Sequence, residues 1–280
     1  MLETEKSTTE KKHDLPIRVK TGIPAAVIIL GIVLYAPAYV VGIIVLVFVI
    51  VGIFEFDNMF GDNQVRLSLI PILGGALLLS AGAVFGGIIG LTTALLLTCT
   101  GLFFHLLIID SPPSIKDLQS LGICLFGVIW IPWSLNHITL IKNFQEGTSL
   151  LLLLIFIIWV SDIAAYFGGK TFGRIPLAPA ISPKKTLEGS ICGVVGAGVI
   201  AAGYCLLFVE SMGAILGLLV GIFIAAIGQV GDLIESKIKR VCNVKDSGRI
   251  FPGHGGVLDR MDSFLTAAPF FCYLMYWINR

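Results

Sequence analysis

The chain has 280 residues, of which 56% are hydrophobic and only 13% charged, with a net charge of +1 and a mean hydropathy of +0.94. Soluble domains run to roughly 45–50% apolar and roughly 25% charged residues, so a soluble globular fold is excluded. The apolar runs do not alternate with polar residues, which excludes a membrane β-barrel and leaves an all-α, polytopic integral membrane protein.

The polar residues 1–21 precede a long apolar region with no small-residue cleavage site. They are expected to form a cytoplasmic tail before a retained first helix rather than a cleaved signal peptide. About nine apolar spans follow, near 22–36, 37–55, 67–82, 84–109, 119–141, 149–168, 187–208, 213–233 and 260–279. The stretch from Gly22 to Phe56 is nearly continuous. As one helix of about 35 residues it would measure roughly 50 Å, too long for a hydrocarbon core of ~30 Å. Pro37 lies inside it, so two crossings are expected.

Positive charge tests this division. With a cytoplasmic N-terminus and nine crossings, 17 of the 19 Lys and Arg residues fall inside, and only Lys142 and Arg280 outside. Merging the first two spans changes the split to 12 against 7. The nine-helix arrangement therefore predicts N-terminal transmembrane helices over 22–148 and a C-terminal transmembrane region over 149–280, in which a catalytic site assembled from two loops is topologically possible. Its two long loops, 169–186 and 234–259, lie on the same cytoplasmic side. Cys99, Cys124, Cys192, Cys205, Cys242 and Cys272 are scattered with no C-x-x-C pair, so neither a disulfide framework nor a zinc site is expected.

Two polar islands interrupt the apolar C-terminal half. The first runs from Ser161-Asp162 to Lys170 and continues in Ser182-Pro183-Lys184-Lys185-Thr186-Leu187-Glu188-Gly189. Ser182 or Thr186 with Glu188 also reads as a helix N-terminus. Gly169-Lys170-Thr171 is not a P-loop, because the leading glycine is missing and a helix precedes it. The second island, Ser236 to Asp262, holds six cations (Lys237, Lys239, Arg240, Lys245, Arg249, Arg260), three carboxylates (Asp246, Asp259, Asp262) and Gly253-His254-Gly255-Gly256.

Just upstream, Asp232 ends the eighth span, and Asp232, Ser236 and Lys239 share a face if the helix continues. Asp259 and Asp262 share a face at the start of the ninth span. Carboxylates from two helices make a candidate Mg²⁺ site, since hard cations take oxygen ligands. Spacing alone favours the plainer reading, in which Asp259 and Asp262 suit a helix N-terminus and Asp232 pairs with a lysine.

The second island resembles, without a departure, the signature of the phosphatidate cytidylyltransferase (CDP-diacylglycerol synthase) family: Ser-x-apolar-Lys-Arg, Lys-Asp, Pro, then His-Gly-Gly-apolar-x-Asp-Arg-apolar-Asp. The Ser-Pro-Lys-Lys-Thr-x-Glu-Gly run also fits that family. Around Asp162 the chain departs, with Ile163 and Ala164 where the family has Thr and Gly. The likeness is specific over about 155–265. Before that it rests on the multi-span layout and on Glu55 at a helix end.

The resemblance implies transfer of a cytidylyl group from CTP to phosphatidic acid, giving CDP-diacylglycerol and pyrophosphate for phospholipid biosynthesis. It implies metal ligation by Asp232, Asp259 and Asp262, and catalytic roles for Lys239, Arg240, Lys245, Asp246, His254 and Arg260. It implies substrate binding by Asp162, Ser182, Lys184, Lys185, Thr186, Ser236, Gly255 and Gly256. Mg²⁺ is the expected cofactor, with a second cation such as K⁺. Further implications are a homodimer, membrane lipid as partner, no nucleic acid, and a bacterial inner membrane with the active site on its cytoplasmic face.

The charge pattern suits this chemistry. A lipid phosphate is already an anion at neutral pH, so no general base is required. Lys239, Arg240, Lys245 and Arg260 would offset repulsion from the triphosphate. His254 is expected to position rather than to donate protons, and Gly255 and Gly256 to let backbone approach phosphate. A CTP-dependent polyprenol or phytol kinase would need a base for an alcohol nucleophile. A transporter would place its polar residues at mid-membrane, whereas here they gather at span ends.

Overall fold

The computed structural model describes residues 22, 24, 26–61, 67–108, 114–209, 211–248 and 255–278. Their secondary structure is helical apart from one short antiparallel hairpin. In chain order the elements are α1 (Ala26–Tyr35), α2 (Ala38–Phe60), α3 (Leu69–Ile108), α4 (Ile115–Lys142), α5 (Gly147–Phe172), β1 (Pro176–Ala178), β2 (Ser182–Thr186), α6 (Leu187–Phe208), α7 (Ala214–Val241) and α8 (Leu258–Ile278). Six of them, α2 to α7, are long and apolar enough to cross a membrane. The side chains they turn outward are large and apolar, including Ile70, Phe85, Ile89 and Ile215 at 79–88% exposure. Such a surface is unsuited to water and suited to lipid.

The spans expected at 67–82 and 84–109 run on as the single 40-residue α3, broken at Gly87 (φ 59°, ψ −146°). That backbone region is open essentially only to glycine. The two limbs fold back on each other. A Cβ on Gly82 would lie 2.5 Å from the carbonyl oxygen of Gly90, and Gly75 faces Thr98. Pro37, which is extended (φ −67°, ψ 160°), divides the Gly22–Phe56 stretch and separates α1 from α2, but α1 as described is shorter than the crossing expected over 22–36. In α4, Pro132 lacks an N–H and the helix widens into a π-turn over Ile129–Trp133. Asn136 Nδ2 donates to the Pro132 carbonyl (2.7 Å) and to Ser80 Oγ on α3 (3.1 Å), tying the two helices together.

The loops are shorter than expected. α5 continues to Phe172, the hairpin occupies part of 173–186, and α7 continues to Val241. Helices α5, α6, α7 and α8 pack in succession. Their seams are lined by small residues, which is how membrane helices approach closely without a hydrophobic driving force. A Cβ on Gly193 of α6 would lie 2.7 Å from the Ser161 carbonyl oxygen of α5, and one on Gly221 of α7 would lie 2.6 Å from the Ala201 Cβ of α6. Gln229 of α7 sits in this seam, donating to Ser161 Oγ (3.2 Å) and the Ser190 carbonyl (3.1 Å) and accepting from Ser190 Oγ. Thr266 of α8 donates to the Ile227 carbonyl of α7 at 2.9 Å. These bonds set the register of the helix ends that carry charge.

Candidate active site

The charged residues collect where the end of α5, the hairpin, the end of α7 and the start of α8 come together. The last two turns of α7 stay helical because Lys239 Nζ bonds the Glu235 carboxylate at 3.0 Å, one turn away. The same ammonium reaches Asp259 Oδ1 on α8 at 2.5 Å. Both members of the Lys239–Asp259 pair are nearly enclosed, with side chains 12% and 10% exposed. Lys185, at the end of β2, forms an ion pair with Asp232, and Ser236 Oγ lies 3.5 Å from the other oxygen of Asp232. The expected face of Asp232, Ser236 and Lys239 therefore exists, but Lys239 turns to Glu235 and Asp259 while Asp232 takes its lysine from the hairpin.

The hairpin is held by several further contacts. Arg240 donates to the Ile181 carbonyl and to the Val244 carbonyl, both at 3.3 Å. Thr186 caps α6 by accepting from the Gly189 N–H at 3.2 Å. Glu188 accepts from the N–H groups of Arg174 (3.0 Å) and Ile175 (3.2 Å), closing the hairpin base. Ser182 is half-buried, and Lys184 is exposed.

On α8, Asp259 folds back over its own helix start. Its Oδ2 accepts from the N–H groups of Ser247 (2.9 Å) and Gly256 (2.8 Å) and lies 3.0 Å from Ser247 Oγ. Gly255 has φ +84°, and a Cβ there would meet Asp259 Oδ2 at 2.6 Å. The room left by these glycines is filled here by carboxylates of the protein. Arg260 is exposed on the first turn of α8, and its charge acts on Asp162, as does that of Lys185. Lys245 and Asp246 are exposed. His254 and Arg249 lie outside the described residues.

The donor set is entirely oxygen, as a hard cation requires. The carboxyl groups of Asp232 and Asp262 lie within electrostatic range of each other and of both Asp162 and Glu235. One oxygen of Glu235 is buried without a hydrogen-bond partner. Among the described residues, no group of three or more His, Cys, Asp or Glu is arranged to hold a metal ion by itself. The oxygen donors suit a divalent ion, which would need further ligands from outside these residues.

Sequence reasoning missed Glu235, Ser247 and Gln229 as parts of this assembly. Glu235 precedes the matched signature by one residue, and its signal was a carboxylate one helical turn before Lys239. Glu55 contacts both ends of the 247–258 segment from α2, accepting from the N–H groups of Val257 (2.8 Å) and Leu258 (2.9 Å) and from Ser247 Oγ (3.1 Å).

These features define a polytopic helical membrane protein with a site of cations and carboxylates gathered at one end of its C-terminal helices. The chain matches the Cytidylyltransferase family over residues 16–278, and it belongs to that family. It is 34% identical over 276 residues to the phosphatidate cytidylyltransferase of Bacillus subtilis (strain 168), covering 94% of this chain and 98% of that protein. It is 47% identical over 138 residues to the phosphatidate cytidylyltransferase of a Synechocystis species, covering 48% of this chain and 45% of that one. It is 41% identical over 165 residues to that of Rickettsia prowazekii, covering 56% of this chain and 72% of that protein.

Proposed function

We propose that the protein transfers the cytidylyl group of CTP to phosphatidic acid, releasing pyrophosphate and forming CDP-diacylglycerol for phospholipid biosynthesis. The observation that carries this reading is the pairing of Lys185 with Asp232 and Lys239 with Asp259 beside Arg260, in a chain of the Cytidylyltransferase family. Two anions must meet in the reaction, and this cluster supplies cations already oriented by carboxylates.

A phosphate oxygen of the lipid attacks the α-phosphorus of CTP. The new P–O–P bond forms as the α–β bond breaks, and pyrophosphate leaves with the electron pair. The attacking oxygen is already ionised, so no residue need remove a proton. Lys239 and Arg260 act on charge at the transferring phosphorus, while Lys185 and Lys184 hold the triphosphate. Asp232, Asp259 and Asp262 would hold Mg²⁺ together with the phosphates, and the ion would neutralise charge on the leaving pyrophosphate. A monovalent ion such as K⁺ is the proposed second cation.

Nine crossings, a cytoplasmic N-terminus, an active site on the cytoplasmic face of the inner membrane and a homodimer complete the proposal. The charge asymmetry of the sequence and the fold-back of α3 at Gly87 support the topology.

The purified protein should convert CTP and phosphatidic acid to CDP-diacylglycerol with stoichiometric pyrophosphate when Mg²⁺ is present. A chelator should abolish turnover. Phosphorylation of a polyprenol with release of CDP, and no product from phosphatidic acid, would overturn the reading.

A further inference from the structure

Glu55 is a carboxylate in the last two turns of α2, only 4% exposed and remote in sequence from every residue of the charged cluster. An ionisable group at such a place is costly unless its oxygens are satisfied. Here they are satisfied by three donors within the signature segment, on either side of 248–256: Ser247 Oγ before it, and the Val257 and Leu258 N–H groups after it. The last two are orphan donors of the α8 N-terminus, so Glu55 caps α8 from another helix.

The fit is tight on both sides. Side chains on Gly248 or on Gly256 would run into the Glu55 carboxylate. Ser247 then relays the contact, because the same hydroxyl and its N–H lie against Asp259 Oδ2.

We propose that Glu55 is a positioning residue of the transfer site, whose carboxylate clamps Ser247 to the start of α8 and so orients Asp259 and Arg260 toward the reacting phosphates. The inference rests on the cytidylyltransferase reading. It adds that the N-terminal helices set the geometry of the C-terminal site.

Glu55→Gln preserves the shape but presents an NH₂ group to donors that need acceptors. In detergent it should lower kcat by ~10- to 100-fold, with the KM for CTP within about threefold of wild type. Hydrogen exchange should accelerate at the Val257 and Leu258 amides and around Ser247, and remain unchanged in α5 and α6. Ser247→Ala should give a similar kcat loss. The double variant should be no worse than the poorer single one, since both act through one contact.

Wild-type kcat in Glu55→Gln, or losses that multiply in the double variant, would overturn the proposal. So would faster exchange spread through all the helices with no selective effect at Val257 and Leu258, which would mark Glu55 as a fold residue only. If Glu55→Gln does not fold, full activity in Ser247→Ala overturns it alone. A wild-type protein inactive on CTP and phosphatidic acid would instead sink the functional reading, while the exchange measurement would still judge the clamp.

Discussion

Replacing Asp259 by Asn tests the centre of the site. The carboxylate makes two kinds of contact. Oδ1 meets the Lys239 ammonium at 2.5 Å, and Oδ2 faces the Ser247 and Gly256 N–H groups at 2.9 and 2.8 Å. An amide cannot serve both sides. With its NH₂ toward Lys239 it opposes a cation, and turned the other way it opposes two N–H donors. Because the partners are only 12% and 10% exposed, salt screens the pair little. Removing one member of such a pair costs about 3–5 kcal/mol. If about 3 kcal/mol of this falls on the transition state, kcat drops by roughly 100-fold. Pyrophosphate release from CTP and detergent-dispersed phosphatidic acid, at saturating Mg²⁺, measures it, with thermal unfolding as a check that the protein is folded. A folded Asp259→Asn enzyme that keeps more than about a third of wild-type kcat would refute the reasoning and remove Asp259 from the reacting centre.

Three further outcomes are expected. Arg260→Ala should be nearly inactive and not rescued by added anionic lipid, whereas Lys237→Ala should be mild; equal damage in both, read by the same assay, would make the segment a general basic patch. Ile163→Thr/Ala164→Gly should lower the KM for CTP by ~2- to 10-fold, the scale of one added hydrogen bond. Ile163 is 57% exposed and free to present a hydroxyl, but Ala164 lies against Gly196 of α6, so an unchanged KM would assign the pair to helix packing. On a cysteine-free background, Asn243→Cys should be labelled by an impermeant thiol reagent only from the cytoplasmic side, and labelling from outside would reverse the topology.

The helices were legible because their apolar runs are long and Pro37 and the polar islands punctuate them. Their ends were less so. The break at Gly87 carries no polar residue, since the turn lies between two apolar limbs. α7 outlasts its apolar run because Glu235 and Lys239 bond along the helix, which hydropathy reads as a loop. The strands over Pro176–Ala178 and Ser182–Thr186 are too short to show alternation. Within the site, Asp232, Asp259 and Lys239 were named from the sequence, and the structure brings them together. For Asp232 the sequence left open a metal or a lysine partner, and the structure pairs it with Lys185 from the hairpin, which sequence spacing could not single out.

What local sequence cannot carry is the identity of a distant contact. Glu55 and Ser247 are separated by 192 positions, yet they share a hydrogen bond. Asn136 and Ser80 are 56 apart, and Gln229 and Ser161 are 68 apart. All of these polar residues except Ser247, which lies in the loop after α7, sit in long helices, where an unsatisfied group is penalised more than at a water-exposed surface. A polar residue in such a run therefore predicts that a partner exists, from composition alone. Which partner it finds depends on how the helices pack, and that is decided by small residues such as Gly193 and Gly221 at the seams. Helix packing thus does more than bury surface in this protein. By fixing which polar groups can meet, it carries a carboxylate from α2 to the start of α8 and places the cations of α7 and the hairpin against the carboxylates they orient.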